Sequence, residues 1–138
     1  MIESFHDSLN KELLLHQLIK PGDTQDKRIN ISPPAESLQV SFLPLRKGQT
    51  FKAHKHIEFI REMPMAQESW IVVKGKVKVY YYDLQDNEIA NRILTKGDAS
   101  ITYRGGHNYL TLEDETIVYE YKTGPYLGQQ YDKVFLNK

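Results

Sequence analysis

Trp70-Ile71-Val72-Val73-Lys74-Gly75-Lys76-Val77-Lys78-Val79-Tyr80-Tyr81 is the stretch that decides the fold class. Its first four residues form an apolar, β-branched run of strand length. Lys74-Gly75 interrupts it, because glycine enters turn conformations without steric cost. From Lys76 the pattern alternates. Lysines 76 and 78 fall on one face, and Val77, Val79 and Tyr81 on the other. Two such runs around a glycine turn predict an antiparallel pair. Lysines 74, 76 and 78 then mark a solvated edge or outer face.

The same rhythm continues in both directions. Downstream, residues 83–87 read as a hairpin loop and 89–94 as the returning strand. Gly97-Asp98 turns the chain. Residues 101–103, 108–112 and 116–122 read as three more strands, separated by Arg104-Gly105-Gly106 and Glu113-Asp114-Glu115. Upstream, Leu38, Val40 and Phe42 alternate with polar residues, Arg46-Lys47-Gly48 turns, and residues 50–56 form a second strand. Pro64 makes 57–66 a loop. Strands at this spacing predict an all-β sandwich or barrel over residues 37–122. Before it, Leu9, Leu13, Leu14, Leu18 and Ile19 fall near a 3.6-residue stripe. Asp7 or Ser8 could cap its start and Pro21-Gly22 end it. That pattern predicts a short N-terminal helix within a 1–36 leading segment. Residues 123–138 have no clear period and are expected to pack over the barrel or a neighbour.

Composition excludes several classes of function. The chain of 138 residues is enough for one domain with a core of its own. With no cysteine there is no disulfide, thiolate zinc site, iron–sulfur cluster or cysteine nucleophile. Lys+Arg and Asp+Glu both total 18, and a neutral chain without a basic block is a poor partner for nucleic acid or an anionic membrane. No apolar run is long enough to span a bilayer as a helix. The start, Met1-Ile2-Glu3-Ser4, lacks a secretory pattern, so the cytoplasm is the expected compartment. There is no phosphate-binding glycine loop and no Gly-x-Ser-x-Gly elbow.

Chemistry concentrates at four residues. His54 and His56 are two apart, so on a strand both imidazoles point to one face. Glu68 shares a strand face with Trp70 and Val72, where a carboxylate is costly unless paired or ligating a metal. His107 follows the glycine turn and shares its face with Tyr109. Three imidazoles and a carboxylate suit Fe, Mn, Ni, Cu or Zn. Lys52, on the face of His54, could meet an anionic ligand. Trp70, Tyr103 and Tyr109 could line a cavity, although most of the aromatics are expected in the core. His6 and His16 read as bystanders, and Arg61 and Arg104 as charges near the rim.

These residues resemble the cupin superfamily. Gly48-Gln49-Thr50-Phe51-Lys52-Ala53-His54-Lys55-His56 is similar to the start of its first motif, and Glu68-Ser69-Trp70-Ile71-Val72-Val73-Lys74-Gly75 to its end. Gly97-Asp98 leading to Gly105-Gly106-His107 is similar to the second motif. The resemblance covers about 38–122. It implies a double-stranded β-helix, or jelly-roll, barrel with one divalent transition metal inside, held by His54, His56, Glu68 and His107. The sequence departs from the family in three places. Residues 57–67 make a longer stretch before Glu68 than the family has, and they contain Glu58 and Glu62 as alternative carboxylates. Tyr103 stands where the family has proline, and His107 arrives one residue early.

The resemblance implies three kinds of function. One is a metal-dependent enzyme, such as an oxygenase or isomerase, acting on a small polar ligand that is anionic or carbohydrate-like. A second is a non-catalytic module that binds a metal or small ligand. The third is a metal-free epimerase or isomerase of the sugar-nucleotide type, using His56 or His107 with Tyr103 or Tyr109 as acid and base. Fold alone does not choose among them. Small members of the family commonly pair, and Leu13-Leu14-Leu15 would be an exposed apolar patch on a partly packed helix, so a homodimer is expected.

Overall fold

The computed structural model describes residues 1–22, 28–56, 60 and 62–136. It is built of antiparallel strands, with no α-helix among the described residues. Ten strands follow in chain order: β1 Ile2–His6, β2 Leu14–Ile19, β3 Ile29–Asn30, β4 Ser41–Phe42, β5 Glu68–Lys74, β6 Val77–Tyr82, β7 Glu88–Leu94, β8 Ala99–Thr102, β9 Gly106–Thr111 and β10 Ile117–Lys122. They form a five-stranded sheet of order β1-β2-β8-β5-β10, a three-stranded sheet of order β7-β6-β9 and a small β3-β4 pair.

The N-terminal helix expected from the sequence is instead a hairpin of β1 and β2. The reason lies in burial. Residues 15–19 are all buried, because β2 has a strand on each side and packing on both faces. A doubly covered strand reads as a nearly continuous apolar run and loses its period of two. Leu18 joins one core and Ile19 the other. Asp7 caps a turn rather than a helix: its carboxylate accepts from the backbone N–H groups of Leu9, Asn10 and Leu84. Leu15 is buried in the same way. The apolar patch on which the homodimer was expected is therefore largely internal.

The five- and three-stranded sheets enclose the first core, formed by Leu18, Val72, Val77, Val79, Tyr81 and Leu94. The second core lies on the other face of the five-stranded sheet. There Ile19, Ile31, Ala99, Ile101 and Tyr103 meet Leu38, Val40 and Phe42 from the β3–β4 region. β8 sits between the two cores, and all four of its residues are buried. The strands expected from β5 to β10 are present, shifted by no more than a few residues at their ends. Residues 50–56, expected as a strand, are irregular and exposed. Among the described residues no helix is long and apolar enough to cross a membrane.

Candidate functional site

Glu68 opens β5, and His107 is the second residue of β9. Parity turns Glu68 and Trp70 toward the three-stranded sheet, and turns His107 and Tyr109 back toward them. The two chemical groups meet across the gap between the sheets, with His107 Nε2 3.2 Å from Glu68 Oε1. Both are partly sheltered, their side chains 23% and 12% exposed respectively. His107 Nδ1 is buried with no hydrogen-bond partner. Burial alone would push the Glu68 carboxyl up. The hydrogen bond from His107, its charge when protonated, and the positive charges of Lys133 and Lys122 outweigh it and hold Glu68 below its ordinary value.

One step deeper, the aromatics stack. Trp70 and Tyr109 lie 3.9 Å apart and nearly parallel, at 4°. The Trp70 indole N–H donates to Glu120 at 3.1 Å. The Tyr109 hydroxyl reaches Ser100 Oγ at 3.1 Å, and Tyr81 meets the same oxygen at 2.8 Å. Burial raises the Tyr109 phenol well above its ordinary value. Tyr109 is thus a hydrogen-bonded wall and a poor proton donor or acceptor near neutrality.

The five-stranded sheet carries a polar row at the level of Glu68. His16 pairs with Thr102, and Thr102 pairs with Glu68. His16 is fully buried. Its Nε2 lies 3.0 Å from the Tyr82 carbonyl, which only accepts, so Nε2–H donates. Its Nδ1, 3.1 Å from Thr102 Oγ1, then accepts from the hydroxyl. The ring stacks on Tyr81 at 4.6 Å. Burial lowers its value to about 4, so the ring is neutral. Gly105 makes this possible. Its φ is +80, and a Cβ there would lie 2.6 Å from the Tyr82 carbonyl oxygen and 3.2 Å from His16 Nε2.

The remaining residues singled out in the sequence fall elsewhere. His54 and His56 are neighbours, with ring centroids 5.5 Å apart, but both are exposed on the irregular 50–56 stretch. His54 Nδ1 is tied to the Lys52 carbonyl at 2.9 Å, which leaves Nε2 outward. Among the described residues no three of His, Asp and Glu stand together as a metal cage. Lys52 and Glu62 are exposed. Arg104 is spoken for: it forms an ion pair with Glu36 at 3.0 Å and donates to the Leu14 carbonyl. Glu58 and Arg61 lie outside the described residues.

Tyr103, expected as a cavity residue, is in the second core instead. Its hydroxyl donates to Gln17 at 2.7 Å and meets Ser32 at 2.9 Å. Burial pushes its phenol up to about 12. Two residues beyond Ile101, strand alternation puts Tyr103 on the face of Ile101, opposite Thr102 and its partner Glu68. Sequence reading missed His16, which sits among Leu15, Gln17 and Leu18. A histidine enclosed in an apolar run is itself a sign of a satisfied buried ring. It also missed Lys122, which pairs in register with Glu68 across β10 and β5.

What this arrangement offers chemically is an imidazole and a carboxylate held at hydrogen-bond distance at one end of the two sheets, beside an aromatic wall. Such a pair can ligate a cation or pass a proton. Comparison of the chain with known families, with curated proteins and with solved structures finds no match.

Proposed function

We propose that the chain is a small cupin-type protein that binds one divalent transition metal through Glu68 and His107, completed by His54 and His56, and that takes a small polar ligand there. The observation that carries this reading is the meeting of Glu68 and His107 from opposed sheets at 3.2 Å. The donors fit a borderline cation: imidazole nitrogen with a carboxylate held in its ionised form. The histidine pair lies on irregular chain, and the β9 edge away from β6 has no strand partner among the described residues. Completion of the site therefore requires the 50–56 segment to order beside Glu68 and His107. The metal, when bound, supplies Lewis-acid or redox chemistry. The protein supplies the aromatic wall of Trp70 and Tyr109 and the charges of Lys122 and Lys133, which favour an anionic ligand. Catalysis as an oxygenase or isomerase belongs to this reading. A non-catalytic metal or ligand carrier is the alternative that turnover assays separate.

The single tryptophan of the chain, Trp70, reports on the site directly. Copper(II) or nickel(II) added to metal-free protein is expected to quench its fluorescence at one equivalent, and amide exchange over 50–56 is expected to slow. His54→Ala and His107→Ala should lose most bound metal by elemental analysis while the circular dichroism of the sheets persists. Glu68→Ala should lose less. Metal content unchanged from the parent in all three variants, or none in the parent, refutes the reading. In the metal-free epimerase-type alternative, His107 would act with Tyr109. The raised phenol of Tyr109 and its bond to Ser100 weigh against it. Pairing of two copies is part of the same proposal. Its support is β10, an outer strand with Ile117, Tyr119 and Tyr121 exposed. A 16.1 kDa particle in light scattering at micromolar concentration overturns it.

A further inference from the structure

The C-terminal segment after β10 lies at the same end of the sheets as Glu68 and His107. Its first residue is fixed by two bonds to the residue just before β5: Thr123 N–H donates to the Gln67 carbonyl and Gln67 N–H to Thr123 Oγ1, both at 3.0 Å. Lys122 then lies over the Tyr126 ring at 4.4 Å. Farther along, Asp132 turns back, placing its carboxylate 3.2 Å from Lys122 Nζ. The segment ends against β9, where Leu136 Cδ1 lies 2.7 Å from the point a Cβ on Gly106 would occupy. Gly106 is the residue before His107. The chain therefore leaves the sheet beside Glu68 and returns beside His107.

Between these points the segment is hardly anchored. Leu127, Tyr131, Val134 and Phe135 are 71%, 76%, 88% and 75% exposed. The one 3-10 turn, Gln129–Tyr131, buries no residue. A segment with two fixed ends and no core of its own opens locally at low cost. We propose that residues 123–136 are a strap across the Glu68–His107 mouth, latched by Asp132 on Lys122 and Leu136 on Gly106, and that release of the latch admits ligand to the pair. Lys122 is the fixed half of the latch, so an incoming anionic ligand can compete with Asp132 for the same ammonium group. The strap holds whether the pair beneath it binds metal or not.

The test uses metal-free, full-length protein and the rate at which diethyl pyrocarbonate modifies each histidine, read by peptide mass spectrometry. His54 and His56 are exposed and serve as internal references. Asp132→Asn should speed modification of His107 by about five-fold, the factor that loss of one ion pair near the upper end of the surface range supplies, and Leu136→Ala, which removes the apolar contact at Gly106, should speed it in the same direction. The references should not change. Leu136→Ala removes no charge, so acceleration there separates opening from a change in local field. Acceleration in Asp132→Asn alone, or in neither variant, overturns the strap. Failure of metal binding in the parent, with His107 still accelerated in both variants, refutes the metal reading and leaves the strap standing.

Discussion

Acid should destabilise this protein through His16. The ring is fully buried, and both nitrogens are committed, one donating to the Tyr82 carbonyl and one accepting from Thr102. Protonation would turn Nδ1 into a donor and place a charge in the first core. In the folded chain the ring titrates at about 4, against 6.5 when unfolded. Below 6.5 the unfolded chain therefore binds a proton that the folded chain does not. Stability is complete above pH 6.5 and is lost progressively as pH falls toward 4. The difference between the two values corresponds to about 3 kcal/mol. A positive charge on His107, where that ring is protonated, acts in the same direction on His16. The assay is urea unfolding at half-unit steps from pH 7.5 to 4, on the parent and on His16→Gln. The variant is expected to be less stable at neutral pH and to lose about 3 kcal/mol less than the parent across the range. Nitrogen-15 spectra should show His16 as the neutral Nε2–H tautomer at pH 7.5 and through 6.5, with protonation setting in only as pH approaches 4. A difference between the two proteins that stays flat with pH, or a His16 ring that titrates near 6.5, refutes the reasoning.

Two further outcomes follow from the packing. Gly105→Ala forces a side chain to φ +80 and drives its Cβ into the Tyr82 carbonyl, so a loss of about 1–3 kcal/mol in thermal unfolding is expected; an unchanged melting temperature contradicts the tie between His16 and Tyr82. Leu18→Ala removes a side chain with no exposed surface from the first core and should cost about 2–5 kcal/mol. A cost below about 1 kcal/mol would fit a surface helix better than β2.

Much of the fold was readable because its strands keep a solvated face or a marked turn. β6 alternates Lys78 with Val77 and Val79, and its neighbours are punctuated by Gly75, Gly97 and Gly105. The period of two put Glu68 with Trp70 and His107 with Tyr109, and the motif resemblance set those two faces toward each other. β2 was misread for the opposite reason. Covered on both faces, Leu14–Ile19 carries no alternation, and two polar residues inside an apolar run imitate a helical stripe. His16 was passed over because its role depends on Thr102 and Tyr82, distant in sequence. Tyr103 was misassigned because its acid–base and lining roles neglect the period of two, which sets it with Ile101 in the second core, on the face opposite Thr102 and Glu68. The irregular path of residues 50–56 leaves the histidine pair legible as a motif, and among the described residues it forms no metal-holding group of three with Glu68.

The place of β2 has a consequence for synthesis of the chain. β2 takes its position by pairing with β8, and His16 and Thr102 are 86 residues apart. At about 5–20 residues per second, the N-terminal hairpin waits roughly 4–17 s after it leaves the ribosome before its central partner emerges. Throughout that interval Leu18 and Ile19 have neither of their two cores to enter. The nascent hairpin is then an apolar strand with an open edge, the kind of segment that holdase chaperones bind and that pairs wrongly between neighbouring chains on one messenger. Slower translation lengthens this exposure, so soluble yield is governed by how soon β8 arrives, while the finished fold retains no trace of the delay.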